Sequence, residues 1–263
     1  MREMTEMMAV RQGGLSRLTE TPCPYKDSFA DIRIDLADIA LDDSGPEGAI
    51  DQIAVLVADR LVRSTNAPGA GAAMVVGLSK WFDVDQARTF HEQLFPAVWR
   101  EYRERHSTLR SHSDFRFKTS VLVDGSIPLE LYGNAWSFKD LHIDREVLLF
   151  SHLYGPAQDF TGGELLLVDI WPYASSHQLS FDDMFFWSDE PTEGSKPVLR
   201  PDHCDPALSE CGINLGTCGP DEIVFVNNSP DAGILHGVTP VQVGDPEGYR
   251  REFHRCSVKS LRL

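Results

Sequence analysis

From about residue 115 the chain becomes a succession of short apolar runs separated by turn-forming residues. Stretches 115–123, 129–132, 146–154, 164–170, 182–187, 222–226, 234–243 and 250–261 are rich in Val, Leu and Phe. Between several of them stand PLELYGN, FTGGEL, NNSPDAG and GDPEG, where Gly, Pro, Asn and Asp supply the backbone of tight turns. No helical pattern alternates with these strands, so parallel crossovers are disfavoured and an antiparallel sandwich or jelly roll is predicted.

The first 110 residues have a different texture. Ile50, Ile53, Ala54, Val57 and Leu61 recur at helical spacing, and NAPGAG at 66–71 ends that pattern. AAMVVGL at 72–78 suits a buried strand. Asp83 followed by Gln86 is a helix-start signature, and Val84, Ala87, Leu94, Val98 and Tyr102 continue an apolar stripe. Pro96 is expected to kink or interrupt that helix. The predicted organisation is a polar, disordered segment over 1–20 and one domain over 21–263. Within it, 21–112 gives mainly helical support and 113–263 forms the β core. Polar, Pro- and Gly-rich 188–220 is expected to be a long loop over one mouth of the barrel.

Composition narrows the functional classes. A formal charge of −16 argues against binding nucleic acid or an anionic membrane surface, both of which call for clustered Lys and Arg. No run of eighteen apolar residues occurs, and 1–20 carries no apolar stretch of the secretion-signal type. Cysteines at 23, 204, 211, 218 and 256 form no CxxC pair, and their spacing matches no common zinc pattern, even with His203 beside Cys204. The expectation is a soluble cytoplasmic protein with free thiols.

The chemistry-bearing feature is His142-Ile143-Asp144. In an extended chain residues i and i+2 project to one face, so this imidazole and carboxylate can hold one cation together. His236, in LHGVTPV, would supply a third ligand once the sheets close. Two His and one carboxylate on one face of an octahedron are the ligand set of Fe(II) centres that activate oxygen, with the opposite face left open. A lone His in a strand is more often a satisfied polar residue than a ligand. The order of motifs along the chain carries the reading.

HIDREVLLFSHLYGPAQDFTGGELLLVD (142–169) resembles the segment of prolyl-hydroxylase-like Fe(II)/2-oxoglutarate-dependent oxygenases in which HxD is followed by a strand, a loop and a Gly-Gly-Glu-Leu turn. EIVFVNNSPDAGILHGVTPV (222–241) resembles that family's strand pair ending in His-x-Val-x-Pro-Val. The resemblance covers about half the chain, from about residue 115 to the end. It implies a double-stranded β-helix (jelly roll, cupin-like) core flanked by α-helices. It also implies Fe(II) held by His142, Asp144 and His236, with 2-oxoglutarate and O2 as cosubstrates, yielding succinate and CO2. Related halogenases carry Gly or Ala at the carboxylate position, so Asp144 implies hydroxylation or another oxidation without halide.

The resemblance further implies a basic residue that pairs with the distal carboxylate of 2-oxoglutarate. GDPEGYRREFHRCSV offers Arg250, Arg251 and Arg255. Arg251 and Arg255 share a strand face with Phe253, whereas Arg250 points the other way with Glu252 and His254. The Arg-x3-Arg spacing resembles the pair of the clavaminate-synthase and taurine-dioxygenase branch, so Arg251 is assigned to the cosubstrate and Arg255 stands second for the same role. Arg145, Lys118 and Arg116 are candidates for an anionic substrate, and Tyr132, Trp136, Phe138, Trp171, Tyr173 and Trp187 either line a pocket or fill the core. Gly162 and Gly163 are read as turn formers, and His152 and His177 as structural. The expected substrate is a small molecule such as an amino acid or biosynthetic intermediate. The alternatives are a peptidyl or protein hydroxylase, a cupin-like metal-binding barrel without oxygenase activity, and a purely structural jelly roll.

Overall fold

The computed structural model describes residues 29–41, 45–64, 67–105, 114–123, 140–156, 159–188 and 196–259. The 1–20 segment, the 129–132 run, Cys23, Tyr132, Trp136 and Phe138 lie outside the described residues. In chain order the elements begin with β1 (Arg33–Asp35), α1 (Gly45–Gly48), α2 (Ile50–Leu61), β2 (Arg63–Ser64), β3 (Ala67–Pro68), β4 (Ala72–Val76), α3 (Val84–Arg105) and β5 (Asp114–Val123). Next come β6 (Val147–Tyr154), β7 (Phe160–Gly162), β8 (Leu165–Asp169), α4 (Ile170–His177), α5 (Phe181–Met184), β9 (Phe185–Trp187) and β10 (Pro197–Leu199). The chain continues through α6 (Pro201–Cys211), β11 (Gly212–Asn214), β12 (Glu222–Asn227), β13 (Ile234–Val238), β14 (Val241–Val243) and β15 (Arg250–Lys259). None of the described helices is long and apolar enough to cross a membrane.

Six strands form the larger sheet in the order β1-β4-β12-β6-β15-β5, antiparallel except for the β1-β4 edge. Three more, β11-β8-β13, form a smaller antiparallel sheet. The period of two along each strand decides the layering. Phe150 and Tyr154 on β6, Val224 and Val226 on β12, and Phe253 on β15 meet Leu165 and Leu167 of β8 and Ile234 and Val238 of β13 in one buried cluster. That cluster fills the space between the two sheets.

The alternate residues of the large sheet, Leu149, Leu153, Ile223, Phe225, Cys256 and Val258, face outward against Ile53, Val57 and Leu61 of α2 and Phe90, Leu94 and Val98 of α3. The outer face of the small sheet, through Val168 and Leu235, packs on Tyr173, Ala174, Phe181 and Ala207 of the helices beyond it. Each fully buried Leu or Phe contributes roughly 1.5–3 kcal/mol relative to exposure, so the layers hold one another in place.

Helix α3 starts as the sequence suggests. Asp83 N donates to Gln86 Oε1 (3.0 Å) and Gln86 N to Asp83 Oδ1 (2.9 Å), a reciprocal cap. Pro96 does not interrupt it, and sits inside a continuous helix. Phe90, Leu94, Phe95, Val98 and Tyr102 are anchored in the core on both sides of the proline, and that burial exceeds the roughly 3 kcal/mol an interior proline costs.

The 188–220 stretch is not a long loop in its described part. It carries β10, the eleven-residue α6 and β11. Pro201 opens α6, where a missing N–H removes no hydrogen bond, so a residue read as a loop signal is a helix start. Two strand runs also divide. Only Phe185–Trp187 of 182–187 is extended, because Ser180 and Asp183 cap a helical turn ahead of it. Run 234–243 breaks between Val238 and Val241, and β14 pairs with β7 instead of continuing β13.

Candidate metal centre

The site is built where the 141–144 segment lies alongside β13. His142 N donates to His236 O and His236 N to His142 O, both at 3.0 Å. A pair that exchanges both bonds is directly opposed, so the two side chains stand on the same face of the ladder. On its other edge the segment meets β10, where Ile143 N donates to Pro197 O (3.3 Å) and His142 bridges Val198. Asp144, two residues on, projects to the same face as His142.

Asn228 fixes the backbone of that tripeptide. Its Oδ1 accepts from Asp144 N (3.0 Å), and its Nδ2 donates to Asp144 O (3.0 Å) and Val147 O (2.6 Å). Asn228 is fully buried, so these bonds face no competition from water.

The three side chains converge. His142 Nε2 is 3.2 Å from Asp144 Oδ1, His236 Nε2 is 3.6 Å from Asp144 Oδ2, and the imidazole centroids are 4.2 Å apart. All three residues are buried, and their ligand atoms lie within 4.8 Å of one another. His142 Nδ1 donates to the Asp140 carbonyl (2.7 Å), which leaves the Nε2 lone pair turned toward the carboxylate. A lone pair facing a carboxylate oxygen is repulsive until a proton or cation lies between them, and so the arrangement fits a metal ion.

Protonation favours the same state. Burial, and then the neighbouring His236, push His142 down to about 4. Burial likewise lowers His236, outweighing the pull of Asp144 in the other direction. For Asp144 burial alone would raise the carboxyl, but the Arg255 guanidinium, and after it His236, hold it well below the ordinary carboxylate range. At neutral pH the set is two neutral imidazoles and one carboxylate, the forms that bind divalent metals.

This has a consequence for acid stability. His142 and His254 both ionise at about 4 in the native protein, against 6.5 for an unperturbed imidazole. Between those limits the unfolded chain takes up protons that the native state refuses, so stability rises with pH across the window. The urea midpoint of the metal-free protein is therefore expected to fall as pH is lowered from about 6.5 to about 4. A midpoint flat over that interval would mean that these rings are not held neutral.

Basic side chains surround the carboxylate. Arg255 donates to Asp144 Oδ2 with its guanidinium 4.7 Å above the Phe150 ring, and the Nζ of buried Lys196 lies 3.9 Å from Oδ1. Arg251, on the same face of β15, is 2 % exposed. Its Nη2 donates to the Gly163 carbonyl (3.1 Å) and its plane covers the Tyr154 ring at 4.4 Å. Among the described residues no carboxylate pairs with it, and its Nε has no hydrogen-bond partner. Gly163 is more than a turn residue, since a Cβ there would stand 2.4 Å from Arg251 Nη1.

The other sequence candidates scatter. Arg145 lies 3.7 Å from Glu146, and Arg116 faces Asp114 on an exposed strand. Arg250 is exposed on the outward side of β15. Trp171, Tyr173 and Trp187 pack in the helical layer outside the small sheet, and the Tyr173 hydroxyl bonds His203. His177 pairs with Glu210 at the surface.

Three residues near the metal cluster escaped the sequence reading. Lys196 stands among polar loop-like residues and reads as solvated. Asn228 lies in NNSP, which reads as a turn. His152, read as structural, sits between the sheets beside Phe150 (4.6 Å) and Phe253 (4.7 Å), opposite Arg255 in the β6-β15 ladder. Its two-residue spacing from Phe150 and Tyr154 was the available signal.

No family model matches the chain, and no curated protein matches it. Solved structures similar to it include an asparagine oxygenase in complex with Fe(II), hydroxyasparagine and succinate, at 15% identity and a TM-score of 0.46, covering 87% of this chain and 93% of that one. The non-heme iron oxygenase OrfP, in complex with Fe and alpha-ketoglutaric acid, is 14% identical with a TM-score of 0.45, covering 96% and 92%. The iron and alpha-ketoglutarate-dependent endoperoxidase NvfI is 13% identical with a TM-score of 0.38, covering 73% and 77%.

Proposed function

We propose that this protein is an Fe(II)- and 2-oxoglutarate-dependent oxygenase with a double-stranded β-helix core, acting on a small molecule such as an amino acid or natural-product intermediate. One observation carries the reading. A buried two-His, one-carboxylate cluster shares the space between the sheets with Arg251, a buried guanidinium that no carboxylate among the described residues neutralises. A buried cation without a counterion is costly, and a dicarboxylate guest would supply the missing charge.

In this reading His142, Asp144 and His236 hold the iron. With 2-oxoglutarate and O2 the bound iron supplies oxidation of a substrate C–H bond, with release of succinate and CO2. Arg251 binds the distal carboxylate through its fork, positioned by Gly163 and Tyr154. Arg255 and Lys196 orient Asp144 and place positive charge beside the cluster, which suits a substrate with an anionic group. Phe150, His152 and Phe253 wall the space and exclude water. Cys204, Cys211, Cys218 and Cys256 form no disulfide among the described residues, which suits a reducing, cytoplasmic setting.

The test is anaerobic loading with Fe(II) followed by 2-oxoglutarate, read by the visible charge-transfer absorption of a chelated 2-oxo acid. The band is expected in the wild type. In Arg251→Ala about tenfold or more 2-oxoglutarate should be needed to develop it, the loss typical of an unpaired charge-assisted contact. Weakening in Arg255→Ala alone would transfer the cosubstrate role to Arg255. Fe(II) binding with no band for any 2-oxo acid would rule out the oxygenase and leave a metal-binding barrel of another kind.

A further inference from the structure

On the opposite face of the large sheet, away from the 142–144–236 cluster, a second group of ligating side chains meets under helix α3. His91 of α3 and His254 and Cys256 of β15 are buried, and their ligand atoms lie within 4.8 Å of one another. Glu92, the next residue on the helix, brings Oε1 to 3.4 Å from His254 Nε2, and Cys256 Sγ is 3.6 Å from that same nitrogen.

Those separations have a metal-site meaning. Tetrahedral zinc with bonds of about 2.05 Å to nitrogen and oxygen and about 2.3 Å to sulfur puts N···O about 3.3 Å and N···S about 3.5 Å apart.

The outer partners are also in place. Thr119 Oγ1 is 2.7 Å from His254 Nδ1, which directs Nε2 at Cys256 and Glu92. Ser151 Oγ holds His91 Nε2 at 2.5 Å, and His91 Nδ1, completely buried, has no hydrogen-bond partner among the described residues.

We propose that His91, His254 and Cys256 bind one divalent transition-metal ion of the zinc class, with the Glu92 carboxylate beside His254. One thiolate and one carboxylate balance its two charges, and the sulfur selects a softer ion than the His-Asp-His cluster takes. Burial raises the Cys256 thiol, so binding the ion displaces its proton to solvent. The ion joins α3 to β15, whose other face carries Arg251, Phe253 and Arg255. Its role is to pin that strand and not to meet substrate.

The experiment is anaerobic titration with Co2+, whose tetrahedral thiolate complexes show strong visible absorption and a thiolate-to-metal charge-transfer band. In the wild type that spectrum is expected to saturate with one ion. It should survive in His142→Ala/His236→Ala, which lacks the first cluster. Cys256→Ser should lose the charge-transfer band, and His254→Ala should weaken Co2+ binding about tenfold or more. Absence of the thiolate band in the wild type, or its persistence in Cys256→Ser, would overturn the proposal. If Cys256→Ser does not fold, His254→Ala replaces it. Unchanged Zn2+ affinity in His254→Ala, measured by competition with a chromophoric chelator, would overturn the site.

Discussion

Asp144→Ala is expected to abolish Fe(II) binding and turnover, and to destabilise the metal-free fold as well. Two imidazoles alone lack the charge to hold a hard divalent ion, so activity should fall beyond the 10–100-fold typical of losing a group that only orients a ligand. The stability effect has a separate origin. Asp144 is the carboxylate facing Arg255 and Lys196, and removing one member of a buried pair costs about 3–5 kcal/mol because the other charge stays behind. The Arg255 side chain is 23% exposed and can turn toward water, whereas Lys196 is nearly inaccessible. The loss should therefore lie near the lower figure. Equilibrium Fe(II) binding under nitrogen, together with urea unfolding of the apo-protein, measures both. Full iron affinity in the variant would exclude Asp144 as a ligand.

The largest expected loss of stability is far from that chemistry. Arg63 Nη2 and Asp169 Oδ2 are 2.8 Å apart and both side chains are 1% exposed. Asp169 also caps α4 by accepting from Trp171 N. Asp169→Ala leaves a guanidinium in the interior and strips the cap, for a combined cost of about 4–6 kcal/mol. A large part of a typical domain's stability would be lost, and thermal unfolding should shift down accordingly. Arg63→Met combined with Asp169→Leu should recover most of it, since apolar replacement of a whole buried pair is often neutral. If the single variant lost under 1 kcal/mol, water would have to reach Arg63.

Much of this architecture was legible because it depends on periodicity. Ile53, Val57 and Leu61 announce α2, and the alternation of Leu149, Phe150, Leu153 and Tyr154 distributes β6 between two cores. The tripeptide around Asp144 was legible because strand geometry places i and i+2 together whatever surrounds them. What failed was reading single residues whose meaning is set by distant partners. Pro201 and Pro206 resemble loop punctuation, yet α6 is stabilised by Ala207 and Leu208 packing under the small sheet. Lys196 reads as a solvated charge because nothing local shows that it will be buried beside Asp144. Run 234–243 hides its break because Val241 and Val243 keep the alternation while pairing with another strand.

Asn228 holds the backbone of Asp144 from 84 positions further along the chain. For a polypeptide growing from its N-terminus, His142 and Asp144 therefore leave the ribosome well before Asn228 and His236. Those two arrive with β12 and β13, and the arginines of β15 come later still. The proposed three-residue centre is therefore complete only once β13 is made. A fragment ending before β12 would carry two of the three proposed ligands without the clamp that aligns them.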